Sequence, residues 1–88
     1  MANKIQVGVV GAGNMGSGIA QKLAQEGLDV VLVDVTEAQV ARGLGMISNT
    51  LDEGVKRGVF SEQEAEETMA RINATTSYDA LRNADLVI

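Results

Sequence analysis

The segment Gly11-Ala12-Gly13-Asn14-Met15-Gly16 constrains this chain more than any other stretch of its sequence. A G-x-G-x-x-G spacing alone is a weak signal, so its flanks decide. Lys4 to Val10 is a nearly unbroken apolar run, as expected of a strand covered on both faces. Beyond the glycines, Met15, Ile19 and Leu23 recur with helical period, with Ala20 and Ala24 beside them, over about Asn14 to Glu26. Gly27 stands where a helix ends. A second apolar strand, Asp29 to Asp34, follows and closes on an acid. Strand, glycine turn, helix and then an acid roughly twenty residues on make the arrangement that binds a dinucleotide.

Each residue type has a physical task. Gly11 permits the tight turn, Gly13 leaves the backbone open to a pyrophosphate, and Gly16 lets the helix pack closely. The first N–H groups of the helix, around Asn14 and Met15, point at the phosphates, and the helix dipole favours negative charge there. Asp34 suits the adenosine ribose hydroxyls and repels a 2′-phosphate. Val35, Thr36 and Glu37 bring no arginine, so NAD is expected over NADP. Gly11, Gly13, Asn14, Met15, Gly16 and Asp34 are the candidate cofactor residues. Glycines that only shaped a turn would not need that acid in register. There is no G-K-[ST] ending, which excludes a nucleotide triphosphatase loop. Gly8 and Gly18 read as small residues where helix and sheet pack closely.

The remainder predicts the rest of an α/β fold. Thr36 with Gln39 reads as a capping box for a long helix whose apolar stripe is Val40, Leu44, Ile47, Leu51 and Val55. Gly43, Gly45 and Gly54 weaken that helix by about 1 kcal/mol each, and Gly58 stops it. Ser61 with Glu64 caps another helix, about Glu62 to Arg71, with Ala65, Met69 and Ile72 inward. Glu62, Glu64, Glu66 and Glu67 read as its solvated face. Ala74 to Thr76 is a third strand, Ser77 caps a turn over Tyr78 to Arg82, and Asp85 to Ile88 begins a fourth strand. The expected architecture is a Rossmann-type parallel sheet ordered 3-2-1-4, with a two-helix insert between strands 2 and 3. Residues 1–88 then form the N-terminal half of a dinucleotide-binding domain, the first half of a doubly wound fold.

A net charge of -5 argues against nucleic acid and anionic membrane as partners. Cysteine and histidine are both absent from the 88 residues. No disulfide, thiolate nucleophile or cysteine metal site is available, and the commonest general base is missing. No metal site and no catalytic residue are expected in this chain. The N-terminus does not read as a signal peptide, and a cytoplasmic, reducing setting is expected.

With its two-helix crossover from Thr36 to Asn73, the chain resembles the NAD-binding domain of 3-hydroxyacyl-CoA dehydrogenases, the 3-hydroxybutyryl-CoA enzymes in particular. The carrying residues are Val9 to Gln21, Val30 to Asp34, Gly58-Val59-Phe60-Ser61, Ala70-Arg71-Ile72 and Ala84 to Ile88. The resemblance implies reversible hydride transfer between NAD and the 3-hydroxyl carbon of an acyl-CoA in fatty acid metabolism. It also implies CoA contact by a hydroxyl and a cation on the insert, at Thr50 and Arg57, with Lys56 the alternative if the register shifts by one. The same two cations also fit a solvated helix end that interacts with the C-terminal dipole. The family's histidine–glutamate pair has no counterpart here, so the chain is expected to be a truncated, inactive cofactor fragment. Two alternatives stay open. One is another G-x-G-x-M-G hydroxyacid dehydrogenase. The other is a non-catalytic module that self-associates through the fourth-strand edge at Leu86, Val87 and Ile88.

Overall fold

A computed structural model describes residues 5–11 and 13–88. The strand expected from Lys4 is observed as β1, Gln6–Val10; Lys4 lies outside the described residues. β1 pairs in parallel with β2, Asp29–Val33, from Gln6 opposite Asp29 to Val10 opposite Val33. Between them runs α1, Asn14–Gln25. Gly27, with a positive φ of 94°, ends that helix as expected.

α2 spans Glu37–Lys56 and α3 spans Glu62–Ala70. They lead into β3, Ile72–Thr75, which pairs in parallel with β2. A 3₁₀ helix, Tyr78–Asn83, then reaches β4, Leu86–Val87, which pairs in parallel with the other side of β1. The sheet order is therefore β3-β2-β1-β4, the expected one.

The core lies between the sheet and the helices. Val7, Val9, Val30, Leu32 and Ile72 meet Ala20 and Ala24 of α1 and Ile47 and Leu51 of α2. Full burial of a side chain such as Leu32 or Ile47 contributes about 1.5–3 kcal/mol. On the opposite face Val31 and Val33 are buried, and Leu81 of the 3₁₀ helix covers Gly8, where a Cβ would overlap its side chain. Gly8 is thus a packing glycine, as expected. Gly54 is another, because a Cβ there would overlap the Phe60 ring.

Several expectations need correction. Met15 is not in the buried stripe of α1; it is 80% exposed, and Ser17, Ala20 and Ala24 take the inner face. Helix and sheet approach closely there, so small residues fit where a larger one would hold them apart. Ile72 opens β3 rather than closing α3, so the third strand begins two residues before Ala74. Gly18 is exposed and touches no packing partner. At Thr36 only half the capping box forms. Gln39 N–H donates to Thr36 Oγ1, but the Thr36 hydroxyl occupies Gln39 Oε1. Ser61 and Glu64 form the full reciprocal box. Ser77 makes no side-chain cap; its N–H donates to Thr75 Oγ1.

Candidate dinucleotide site

The register of β1 and β2 assembles the site. Val10 lies opposite Val33, and the Gly11 N–H donates to the Val33 carbonyl at 2.7 Å. The chain leaving β1 is thereby fixed beside Asp34, the residue that follows β2. Gly11 has φ +97°, a left-handed conformation that an L side chain would strain. Gly13 is the N-cap of α1 and has extended backbone, and a Cβ there would meet nothing within 4 Å. At Gly16 a Cβ would overlap the Gly11 carbonyl oxygen and stand 2.9 Å from the Gly11 carbonyl carbon. Gly16 thus closes the turn on itself, a tighter demand than the expected packing of helix on sheet.

Asn14, Met15 and Gly16 form the first turn of α1, the part of a helix whose N–H groups lack intrahelical acceptors. No acid stands in that turn, and Lys22 lies in the last one, so nothing in the helix opposes an anion at its tip. Asp34 is half-buried, and its Oδ1 accepts the Val35 N–H at 2.6 Å. That bond fixes the carboxylate at the same carboxyl rim of the sheet. The structure therefore brings Gly11, Gly13, Asn14, Met15, Gly16 and Asp34 together. The open space at Gly13 fits a diphosphate, and the carboxylate fits the adjoining ribose.

Thr50 and Arg57 are held differently. Thr50 lines a cleft of about 400 Å3 between α1 and α2, and Asn14 lines it too. Its hydroxyl donates to the Met46 carbonyl at 2.9 Å. Arg57 is the exposed C-cap of α2, seven residues on, with Nε 3.8 Å from Glu53 Oε2. Seven residues are nearly two full turns, so Thr50 and Arg57 share a face of the helix. Lys56 points elsewhere, lining the α2–α3 groove with Asp52, Glu62 and Glu66.

Sequence reasoning missed other residues. Ser17, Gln21 and Asn49 line the same cleft; helical spacing from Asn14 and Thr50 was the available signal. Arg71 Nη1 donates to the Ala24 carbonyl at 2.9 Å and so ties the insert to the last turn of α1. Asp85 Oδ2 accepts the Gln6 N–H at 2.8 Å and fixes the start of β1. Among the described residues no acidic, cysteine or histidine cluster could hold a metal ion, and no helix is long and apolar enough to cross a membrane.

A ligand that presents a diphosphate and a ribose to one rim uses this whole arrangement, which is that of a Rossmann-type dinucleotide-binding domain. The sequence narrows the class: residues 6–88 match the 3-hydroxyacyl-CoA dehydrogenase NAD binding domain. The chain belongs to that family, and NAD is its cofactor. It is 41% identical over 83 residues to a 3-hydroxybutyryl-CoA dehydrogenase of Bradyrhizobium diazoefficiens, covering 94% of this chain and 28% of that enzyme. A fatty acid oxidation complex subunit alpha of Acinetobacter baumannii is 37% identical, with 94% of this chain and 12% of that protein covered. The crystal structure of an (S)-3-hydroxybutyryl-CoA dehydrogenase from Ralstonia eutropha superposes with TM-score 0.93 at 42% identity, over 97% of this chain and 30% of that one. The chain thus spans less than a third of the length of each of these relatives.

Proposed function

We propose that this chain is the adenosine-binding part of the cofactor domain of an NAD-dependent 3-hydroxyacyl-CoA dehydrogenase acting in fatty acid metabolism. The carrying observation is the placement of Asp34 beside the Gly11 turn, with open space over Gly13. NAD, when bound, supplies the acceptor for the hydride that leaves the 3-hydroxyl carbon. The residues of this chain bind and orient. The α1 tip takes the diphosphate and Asp34 the ribose hydroxyls, while Thr50 and Arg57 hold the CoA end of the substrate. Histidine is absent from the chain, and none of its carboxylates is placed by motif for proton transfer, so its part in the reaction is cofactor and CoA binding.

Titration with ADP-ribose, followed by backbone amide shifts, tests the reading. Saturable shifts are expected at Gly11, Gly13 to Gly16 and Asp34. Unmoved amides there at millimolar ligand would sink it.

A second property rests on β4. Its ladder runs to β1, and Leu86, Val87 and Ile88 are each about half-exposed. An apolar edge strand of this kind favours pairing with another strand. Self-association through that edge is therefore also proposed. Sedimentation over a concentration series is expected to show a growing dimer fraction, and a strict monomer at the highest concentration removes the idea.

A further inference from the structure

Met15 is the most exposed large apolar side chain among the described residues, at 80%. Packing does not account for its place. Of the other described methionines, Met69 packs against the core and Met46 lines the α1–α2 cleft, and both are partly buried. Met15 stands instead in the first turn of α1, between Asn14 and Gly16. Side chains on a helix tilt toward its N-terminus. The Met15 thioether is therefore set at the α1 tip, on the side of the open space over Gly13.

The chemistry of the tip gives that position a consequence. The chain holds no cysteine, so methionine carries all of its sulfur. Peroxide attack on sulfur follows access, and exposure selects Met15. The first turn of α1 also contains no acid, so no negative group opposes an anion there. Oxidation of Met15 would introduce one.

We propose that Met15 is a modification site through which hydrogen peroxide weakens dinucleotide binding. The inference rests on the reading that the α1 tip takes the diphosphate of NAD. A sulfur lone pair attacks one peroxide oxygen, and the O–O bond breaks as the S–O bond forms. Sulfur gives up two electrons and the peroxide is reduced. The proton on the transferred oxygen passes to the departing hydroxide, which leaves as water. The neutral thioether is a weak acceptor. The sulfoxide is polar, with the negative end of its dipole on oxygen. That oxygen competes for the first-turn N–H groups the diphosphate uses, and it faces the diphosphate with like charge. Methionine sulfoxide reductases reverse the step, one enzyme for each sulfoxide epimer. A dithiol supplies the two electrons and becomes a disulfide, and the oxygen leaves as water.

The test uses the 88-residue chain and its Met15→Leu variant. Oxidation of each methionine by hydrogen peroxide is followed over time by peptide mass spectrometry. Met15 is expected to oxidise first. ADP-ribose at about ten times its Kd leaves about a tenth of the sites open, so Met15 oxidation is expected to slow about fivefold or more. The Met15-oxidised chain is expected to bind ADP-ribose about tenfold more weakly. Both reductases with dithiothreitol are expected to restore the affinity. The melting temperature is expected to stay within about 4 °C of the reduced chain, because the change lies on the surface. Met15→Leu keeps Met1, Met46 and Met69. Peroxide is expected to leave that variant's own ADP-ribose affinity unaltered.

Met46 or Met69 oxidising as fast as Met15 overturns the inference. So does an equal loss of affinity in peroxide-treated Met15→Leu, which places the effect at another residue. A larger fall in melting temperature also overturns it, because unfolding then explains the lost binding. The two readings fail differently. A reduced chain that does not bind ADP-ribose removes the dinucleotide site and this inference with it. Equal binding before and after Met15 oxidation removes this inference alone.

Discussion

Gly16→Ala is the most direct probe of the glycine turn. The added methyl would overlap the Gly11 carbonyl oxygen and crowd its carbon at 2.9 Å. The obstacle is backbone, and Gly11 is itself held by its N–H bond to Val33 at 2.7 Å, so no side chain can swing aside to make room. Overpacking strain costs about 1–3 kcal/mol, and a blocked backbone belongs at the upper end. Alanine's better helix propensity offsets about 1 kcal/mol of this. A net loss of about 2 kcal/mol is expected, against a total of about 5–10 kcal/mol for a domain of this size. In thermal unfolding that is a fall of about 8–16 °C. The strained turn also moves the first N–H groups of α1 off the diphosphate. Losing one charge-assisted hydrogen bond weakens binding by about 10- to 150-fold.

Gly13→Ala is the matched control. Its backbone at φ -70° accepts alanine and its Cβ would meet no protein atom within 4 Å. The melting temperature is expected to move by only a few degrees, about the scale of a changed N-cap. ADP-ribose affinity, by contrast, is expected to fall about tenfold or more, because the methyl stands where the diphosphate passes. Circular dichroism melts and calorimetric titration with ADP-ribose read both quantities on both variants. The reasoning is refuted if Gly16→Ala melts with the unmodified chain, or if Gly13→Ala binds ADP-ribose unchanged.

Two further outcomes follow from the same geometry. Asp34→Ser removes the carboxylate from the ribose and is expected to weaken ADP-ribose about tenfold or more. It is also expected to narrow the preference over 2′-phospho-ADP-ribose, read by parallel titrations of the two ligands. Arg71→Met takes the guanidinium away from the Ala24 carbonyl at the end of α1. A loss of about 1–2 kcal/mol in denaturant unfolding is expected, and unchanged stability would show that the contact contributes nothing.

The legible parts of this protein are those in which one residue answers a local demand. Gly11 and Gly27 answer left-handed backbone, and Ser61 with Glu64 answers unpaired N–H groups. The run Val30 to Val33, buried on both faces, answers the centre of a parallel sheet. Together these gave the strand order and the cofactor rim. What was hidden depends on distance between elements. Apolar period rotated α1 toward Met15, whereas close approach to the sheet selects Ser17, Ala20 and Ala24. Thr68 is buried with its hydroxyl satisfied by the Glu64 carbonyl at 2.9 Å, a pairing that composition does not reveal. Ile72 sits where helix and strand readings overlap, and pairing with Val30 decides for the strand. The α1–α2 cleft forms only once both helices are placed, so helical spacing from Asn14 and Thr50 could mark candidates but not show that Gln21 and Asn49 line one cleft.

The glycines of α1 and α2 bear on this difference quantitatively. Gly16 and Gly54 fill positions where a Cβ would strike the Gly11 carbonyl and the Phe60 ring. Gly18 and Gly45 face open space and lie inside helices, so each costs stability of about 1 kcal/mol that packing does not return. The two differ in position, since Gly18 lines the α1–α2 cleft and Gly45 is not among its lining residues. Gly45→Ala is therefore expected to raise the melting temperature by about 4–8 °C and to leave ADP-ribose and CoA affinities unchanged. Gly18→Ala is expected to share that stability gain, because its Cβ likewise meets nothing within 4 Å. If neither variant melts higher, these glycines are not a stability cost and the propensity argument fails.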